Sequence, residues 1–582
     1  MRSRHVLLAL VGITALAAAM RLLPFFQHAA WGSDTGEYYA LTQRLVDTGR
    51  LSTEYDGWGI VYAYFTGAYV VSGAVSAISG LDAWTALRIV VPLAATVTVP
   101  GIFLVSRALF GDDRAALASA ALLAVLMPHV FTTSHPMPGA LGHVFMVGAL
   151  VFMVQAQRDR PALVLAAAAA LALVPTHHFT VYFLLLVLVA YPFLRGMLSE
   201  RDEMPDARPW FAVAAALAVV NFVYWWFAAP PFLLIVRDAI RVAELAVVGF
   251  FVVLAAAVLA IRARRKRRPL QYAPAWMPPR QAALWGAGFL GAGVSVGVFV
   301  FLFGVPGTSV HPDAETVAYF LPLLSTVSLM AVGLSYSKGY PQGLLAYGWT
   351  IAIFGSFLAA SAAQSTVLLP YRHTEYLAEP VALLAGLGFV KLHDFGARLW
   401  PSARRGVSAL AVAGLAALVV LNAATAYPPP RVLAGFEEAT SHEEFAAIRW
   451  AGENLVLSED AVVAADHRVS SLLFGVAGLN ATWDYSRLTF HGESFEEARE
   501  EMERLRTPSG AKRIDYVFLG EATRQGVALL QWENAEPMSQ AAVAKFERAP
   551  FIKLCDSGSV QIYAVDWHGT MPTRSPVGPC RA

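Results

Sequence analysis

Gly59-Ile60-Val61-Tyr62-Ala63-Tyr64-Phe65-Thr66-Gly67-Ala68-Tyr69-Val70-Val71-Ser72-Gly73-Ala74-Val75-Ser76-Ala77-Ile78-Ser79 is long and apolar enough to cross a bilayer. Whether it does so fixes the topology of everything after it. Thirteen other stretches of spanning character follow or precede it, near 5–23, 84–107, 114–132, 140–157, 162–176, 178–196, 209–228, 243–261, 282–304, 316–336, 343–364, 376–393 and 406–425. The basic residues between them fall into clusters: Arg2/Arg4, Arg107/Arg114, Arg158/Arg160, Arg195/Arg201/Arg208, Arg262 to Arg268, Lys338, and Lys391/Arg398/Arg404/Arg405. If 59–79 does not span, every cluster falls on the cytoplasmic side, as the positive-inside rule requires. If it spans, every cluster after the first falls outside. The segment is therefore expected to lie on the outer surface, with Tyr62, Tyr64 and Tyr69 as interfacial anchors. The expected fold is a polytopic α-helical membrane protein of about thirteen transmembrane helices, N-terminus cytoplasmic, in the plasma membrane.

Composition agrees. Of 582 residues, 57% are hydrophobic and only 15% charged, and the mean hydropathy is +0.52, which excludes an ordinary soluble domain. A net charge of +1 argues against nucleic acid as a partner. The Met1-Arg2-Ser3-Arg4 start and Ala17-Ala18-Ala19 could pass for a secretory signal; the many spans that follow favour an uncleaved first helix. After residue 427 the composition changes. Pro428-Pro429-Pro430 reads as a stiff linker, and 428–582 as an extracytoplasmic α/β domain. Helices are expected over 441–454 and 493–506, strands over 461–465 and 516–519, and a hairpin 551–554/560–565 turning at Asp556-Ser557-Gly558-Ser559. Asn480-Ala481-Thr482 is a glycosylation sequon. Cys555 and Cys580, the only cysteines, could pair in that compartment.

With this topology the chemistry-bearing residues gather in outer loops. The first, 24–83, carries Ser33-Asp34-Thr35-Gly36-Glu37, two carboxylates without a basic neighbour. Asp34 and Glu37 have capping-box spacing, but acids at a membrane surface are also candidate catalytic groups. Tyr371-Arg372-His373-Thr374-Glu375 is dense in polar groups for so apolar a chain, and a guanidinium at head-group depth can bind phosphate as a fork. Arg237, Asp238, Arg241 and Glu244 read first as intrahelical ion pairs, with a lipid-phosphate role for Arg237 or Arg241 as a lesser reading. Asp34 with His135, His177 and His178 could hold a divalent cation such as Mg2+ or Mn2+; no other cofactor is indicated. Trp483-Asp484-Tyr485 is close to the Trp-Trp-Asp-Tyr-Gly signature of oligosaccharyltransferases, yet has Thr482 for the first Trp and Ser486 for the Gly.

Taken in order, these features resemble the GT-C superfamily of membrane glycosyltransferases over nearly the whole chain. The acidic first loop, the surface helix after it, and a second span running from Arg88 to Ser106-Arg107-Ala108-Leu109-Phe110-Gly111-Asp112-Asp113-Arg114, then an Ala-rich span ending in Pro, look like the lipid A aminoarabinose transferases and protein O-mannosyltransferases. Thr176-His177-His178 and the outer domain look more like archaeal relatives. The resemblance implies a polyprenyl-phosphate sugar donor, a glycan, lipid or protein acceptor, a first-loop carboxylate (Asp34, with Glu37 near it) that activates the acceptor or holds a metal, and an outer-loop arginine (Arg372, with Tyr371, His373 and Glu375) that binds donor phosphate. The adjacent Asp-Glu pair of the mannosyltransferases is here split by Thr35 and Gly36. Transfer of a lipid-linked glycan to protein, and lipid or solute transport without chemistry, are the competing readings.

Overall fold

The computed structural model describes residues 3–581 except 52, 199–206, 240–277, 304–311, 341, 364, 366, 434, 484–485, 508–509, 527–535 and 570–577. The expected span at 243–261, Arg241 and Arg262 to Arg268 lie outside the described residues.

Eight described helices are long and apolar enough to cross a membrane: Ser3–Gln27, Ala83–Phe110, Pro138–Gln155, His178–Arg195, Arg208–Phe227, Pro279–Phe303, Leu344–Ala362 and Pro401–Ala424. A ninth is the pair Asp113–Val125 and Met127–Ser134, bent by 56°. The bend follows from Leu126 in extended conformation and Pro128 near the new helix start, since proline has no N–H to continue the ladder. Ala162–Ala172 and Leu321–Ser337 are apolar but shorter.

The helix Arg372–Leu399 is the axis of the bundle, buried from His373 to Val390 on most of its circumference. Small residues let it pack at backbone distance. A Cβ on Gly388 would lie 2.0 Å from the Leu329 carbonyl oxygen, and one on Gly333 would lie 1.8 Å from that of Leu384. Ser119 donates to the Leu383 carbonyl at 3.1 Å. At one end of the bundle charges pair across helices, Arg114 with Asp394 and Arg107 with Asp113. The other end carries the C-terminal domain.

Segment 59–79 forms a 3-10 turn, Tyr62–Tyr64, and the helix Gly67–Ser79. Thirteen residues reach only about 20 Å at 1.5 Å per residue, short of the roughly 30 Å of hydrocarbon. One expectation fails. Tyr69 is buried at 1% exposure and Tyr62 turns its hydroxyl to Asp34, so these tyrosines face protein rather than anchor to an interface.

The C-terminal domain has a sheet in the order 461–464, 510–520, 560–565, 551–556; the first pair is parallel and the others antiparallel. Alternate side chains feed two cores. Val463, Phe518 and Ile562 meet the helices His442–Asn454 and His467–Gly475, while Val462, Val517 and Tyr563 meet Phe495–Glu503 and Gln540–Ala544. Cys555 and Cys580 form a disulfide with Cα atoms 5.1 Å apart. The domain does not hang from its prolines. Ala439–Thr440 pairs antiparallel with Ala30–Trp31, and helix His467–Gly475 lies across helix Thr35–Thr48. That crossing needs two glycines: a Cβ on Gly36 would be 2.0 Å from the Ser471 carbonyl oxygen, and one on Gly475 would be 1.9 Å from that of Gly36.

Candidate functional site

The site is built where the first loop meets the C-terminal domain. Asp34 stands at the start of helix Thr35–Thr48, but its side chain makes no cap bond. One carboxylate oxygen accepts from His467 Nε2 at 2.9 Å, and the other from the Tyr62 hydroxyl at 2.9 Å and, more weakly, that of Tyr38 at 3.4 Å. The capping-box reading of Asp34 and Glu37 therefore falls. Burial pushes Asp34's carboxyl up, but the bond and charge of His467, the Tyr62 hydroxyl and the charge of Arg372 outweigh it and hold the group below its ordinary value.

Glu37, one turn on, is fully buried. Its Oε1 accepts from the Tyr55 hydroxyl and from the Gly59 N–H, while Oε2 has no partner among the described residues. Burial, then the charge of Asp34, push its carboxyl up to about 7. Two carboxyl groups one turn apart thus differ in protonation at neutral pH, the condition under which one serves as a base and the other does not. His135 lies beside them, 3.6 Å from Glu438, and Glu438 in turn accepts from the Ser33 N–H at 2.7 Å.

Arg372 opens its helix on the same side. Its guanidinium is 3.8 Å from Glu375 and stands over the Tyr371 ring at 5.5 Å. Its charge bears on Asp34 and Tyr38, and on His177 and His178. His373 turns away: it bonds Ser356 at 2.8 Å and packs against Phe183, a strap between helices rather than a ligand. Arg237 is exposed and paired with its neighbour Asp238; Arg241 and Glu244, the other members of that expected set, lie outside the described residues.

The expected cation set does not assemble. His177 bonds Thr180 and Tyr376, and His178 packs against Phe65 and Phe232. Among the described residues, the group whose ligand atoms lie within 4.8 Å of one another is His129, His143 and Glu379, all buried. These come from three helices read in sequence as apolar. Arg21 reaches them from a fourth, 2.7 Å from His129 Nδ1. Arginine only donates, so His129 Nδ1 accepts and a neutral His129 carries its proton on Nε2. His143 Nδ1 bonds Glu379 Oε1 at 2.5 Å. Among the described residues, Arg21 Nε, His129 Nε2, His143 Nε2 and Glu379 Oε2 have no hydrogen-bond partner. A metal on His129 Nε2 would have to displace the Arg21 bond, because metal-bound imidazole donates from its other nitrogen.

Sequence reading missed His467, Ser471, Tyr55, Gly59 and Glu438, and no local signal marks them. Trp483, the start of the oligosaccharyltransferase-like triplet, packs 5.8 Å from His467 with φ +53°; Asp484 and Tyr485 lie outside the described residues.

No protein-family model matches the sequence, and no curated protein does. Solved structures are similar. ArnT from Cupriavidus metallidurans bound to undecaprenyl phosphate is 16% identical, with 95% of this chain and 97% of that one aligned at a TM-score of 0.44. The same protein in its apo state gives 14% and 0.39. Arabinofuranosyltransferase AftD from Mycobacteria is 14% identical at 0.45; this chain spans 40% of its length.

Proposed function

We propose that this protein is an integral membrane glycosyltransferase that moves a sugar from a polyprenyl-phosphate donor to a hydroxyl on an extracytoplasmic acceptor, with inversion. The observation that carries the reading is the placing of Asp34, an ionised carboxylate fixed by His467 and Tyr62, within reach of the charge of Arg372. A base and a phosphate-binding cation at one end of a helical bundle are what sugar transfer from a lipid phosphate needs.

The acceptor oxygen attacks the anomeric carbon as its proton passes to Asp34. The bond from that carbon to the phosphate oxygen breaks on the opposite face, and the electron pair leaves with the polyprenyl phosphate, whose charge Arg372 meets. Tyr371 and Glu375 orient the guanidinium. The lipid tail stays between helices, and only the head group enters. A divalent cation is assigned no step. The positive-inside rule places this end outside the plasma membrane, and the disulfide in the C-terminal domain suits an oxidising compartment.

The test is direct. Purified protein in nanodiscs is incubated with radiolabelled polyprenyl-phosphate sugars and a panel of glycan, lipid and peptide acceptors. The expected result is acceptor-dependent release of polyprenyl phosphate that disappears in Asp34→Asn. Release unaffected by that change would remove Asp34 as the base.

A further inference from the structure

We propose that His467, delivered by the C-terminal domain, is the positioning residue for Asp34, so that the transfer site is complete only when that domain is docked. The proposal rests on the reading of Asp34 as the base.

Three observations support it. The first is the bond itself, His467 Nε2 to Asp34 Oδ1 at 2.9 Å, between residues 433 apart in sequence. A carboxylate only accepts, so the imidazole donates; it fixes one Asp34 oxygen while Tyr62 and Tyr38 fix the other. The second is that the imidazole is itself held. Trp58 of the first loop meets it edge-on at 4.7 Å, and Trp483 lies at 5.8 Å. Trp483 takes φ +53°, uncommon for a bulky residue, while its N–H donates to Ser470 at 3.1 Å. The third is that the docking has no slack. His467 is the first residue of a helix that touches helix Thr35–Thr48 at backbone distance through Gly36 and Gly475, and Ser471 of that helix accepts from the Glu37 N–H at 3.2 Å. Arg468, next in the chain and 1% exposed, forks onto Glu444 and donates to the Ala439 carbonyl. Ala439 belongs to the strand that pairs with Ala30–Trp31. Docked domain, imidazole and carboxylate are one rigid chain of contacts.

Among the described residues, the titratable and charged groups around this pair are Glu37, Glu438, Arg372 and the tyrosines Tyr38, Tyr55, Tyr62 and Tyr69. With them unchanged, loss of the imidazole removes the donor that favours ionised Asp34. The acid limb of the rate must then move to higher pH.

The experiment compares His467→Ala and His467→Gln in full-length protein, measuring kcat, donor KM and the pH profile, with a thermal melt to show that each folds. Glutamine keeps an N–H donor of similar reach but cannot carry charge. The alanine variant should lose at least about 10-fold in kcat, less than the roughly 100-fold or more of a lost general base because Asp34 itself remains, with donor KM unchanged and the acid limb shifted upward. The glutamine variant should recover most of kcat at neutral pH. Wild-type kcat and acid limb in His467→Ala overturn the proposal. So does a folded His467→Gln that is no better than alanine, or, should alanine not fold, one that loses 10-fold or more. Asp34→Asn run in parallel separates the two readings. If it transfers at the normal rate, the base assignment falls; if it is inactive while His467→Ala is normal, only the role of His467 falls.

Discussion

At the scale of the residue, burial does different things to two carboxylates in one helix turn. Asp34 receives donors on both oxygens, whereas Glu37 keeps one oxygen bare. Asp34→Asn preserves size and most hydrogen bonds, so the melt should hold while the transfer rate falls about 100-fold or more, the scale of a lost general base. Glu37 makes a pH prediction. Its carboxyl is pushed up from the ordinary range to about 7 by burial and by the charge of Asp34, so folding favours the protonated form. Its stabilising contribution is fully present below the unfolded carboxyl's range and is lost as pH rises through 7. The wild type should lose about 2 kcal/mol more than Glu37→Gln between pH 5 and 8.5, visible as crossing melting curves in a pH series. Arg372 is the third side chain of the proposed site. Arg372→Ala should abolish binding of polyprenyl-phosphate sugar, and Arg372→Lys should rescue it only in part because lysine lacks the planar fork; equilibrium binding of a fluorescent donor would show it, and wild-type affinity in the alanine variant would refute the assignment.

At the scale of the element, backbone contact between helices decides the geometry. Helix Thr35–Thr48 and helix His467–Gly475 meet where a single methyl would overlap a carbonyl, and close packing cannot absorb an atom at 1.9 Å. Gly475→Ala should therefore lower the melt and reduce transfer, with donor binding at Arg372 kept. Gly414→Ala is the matched control. It lies in helix Arg404–Ala424 with nothing within 4 Å of the added carbon, and a helical Gly→Ala change there should be neutral or stabilise by about 0.5–1 kcal/mol. A Gly475→Ala variant as active and as stable as Gly414→Ala would show that the two helices need not touch. The bent pair at Leu126 and Pro128 is another such device: the break sets His129 against Arg21 and Glu379, inside segments whose composition looks merely apolar.

At the scale of the molecule, the distribution of basic residues predicts the topology. Both native cysteines are paired, so an introduced cysteine is the only free thiol. A cysteine at the exposed Val456 of the C-terminal domain should label from outside with a membrane-impermeant maleimide, and one at Lys338 should not; outside labelling at Lys338 would break the orientation. The sequence by itself determined the helical character and the strands at 461–464 and 560–565 of the C-terminal domain, because hydropathy and residue period report local burial directly. It also picked out Asp34, Glu37 and Arg372, because charged groups are rare in so apolar a chain. It could not pick out His467, or separate the roles of Asp34 and Glu37, since both depend on partners hundreds of residues away. Nor could it see that His135, His177 and His178 would disperse while His129, His143 and Glu379 converged. A histidine's ligands are set by which helices cross at its depth, and crossing is decided by packing at Gly36, Gly475, Gly333 and Gly388, where missing side chains rather than present ones draw the backbones together.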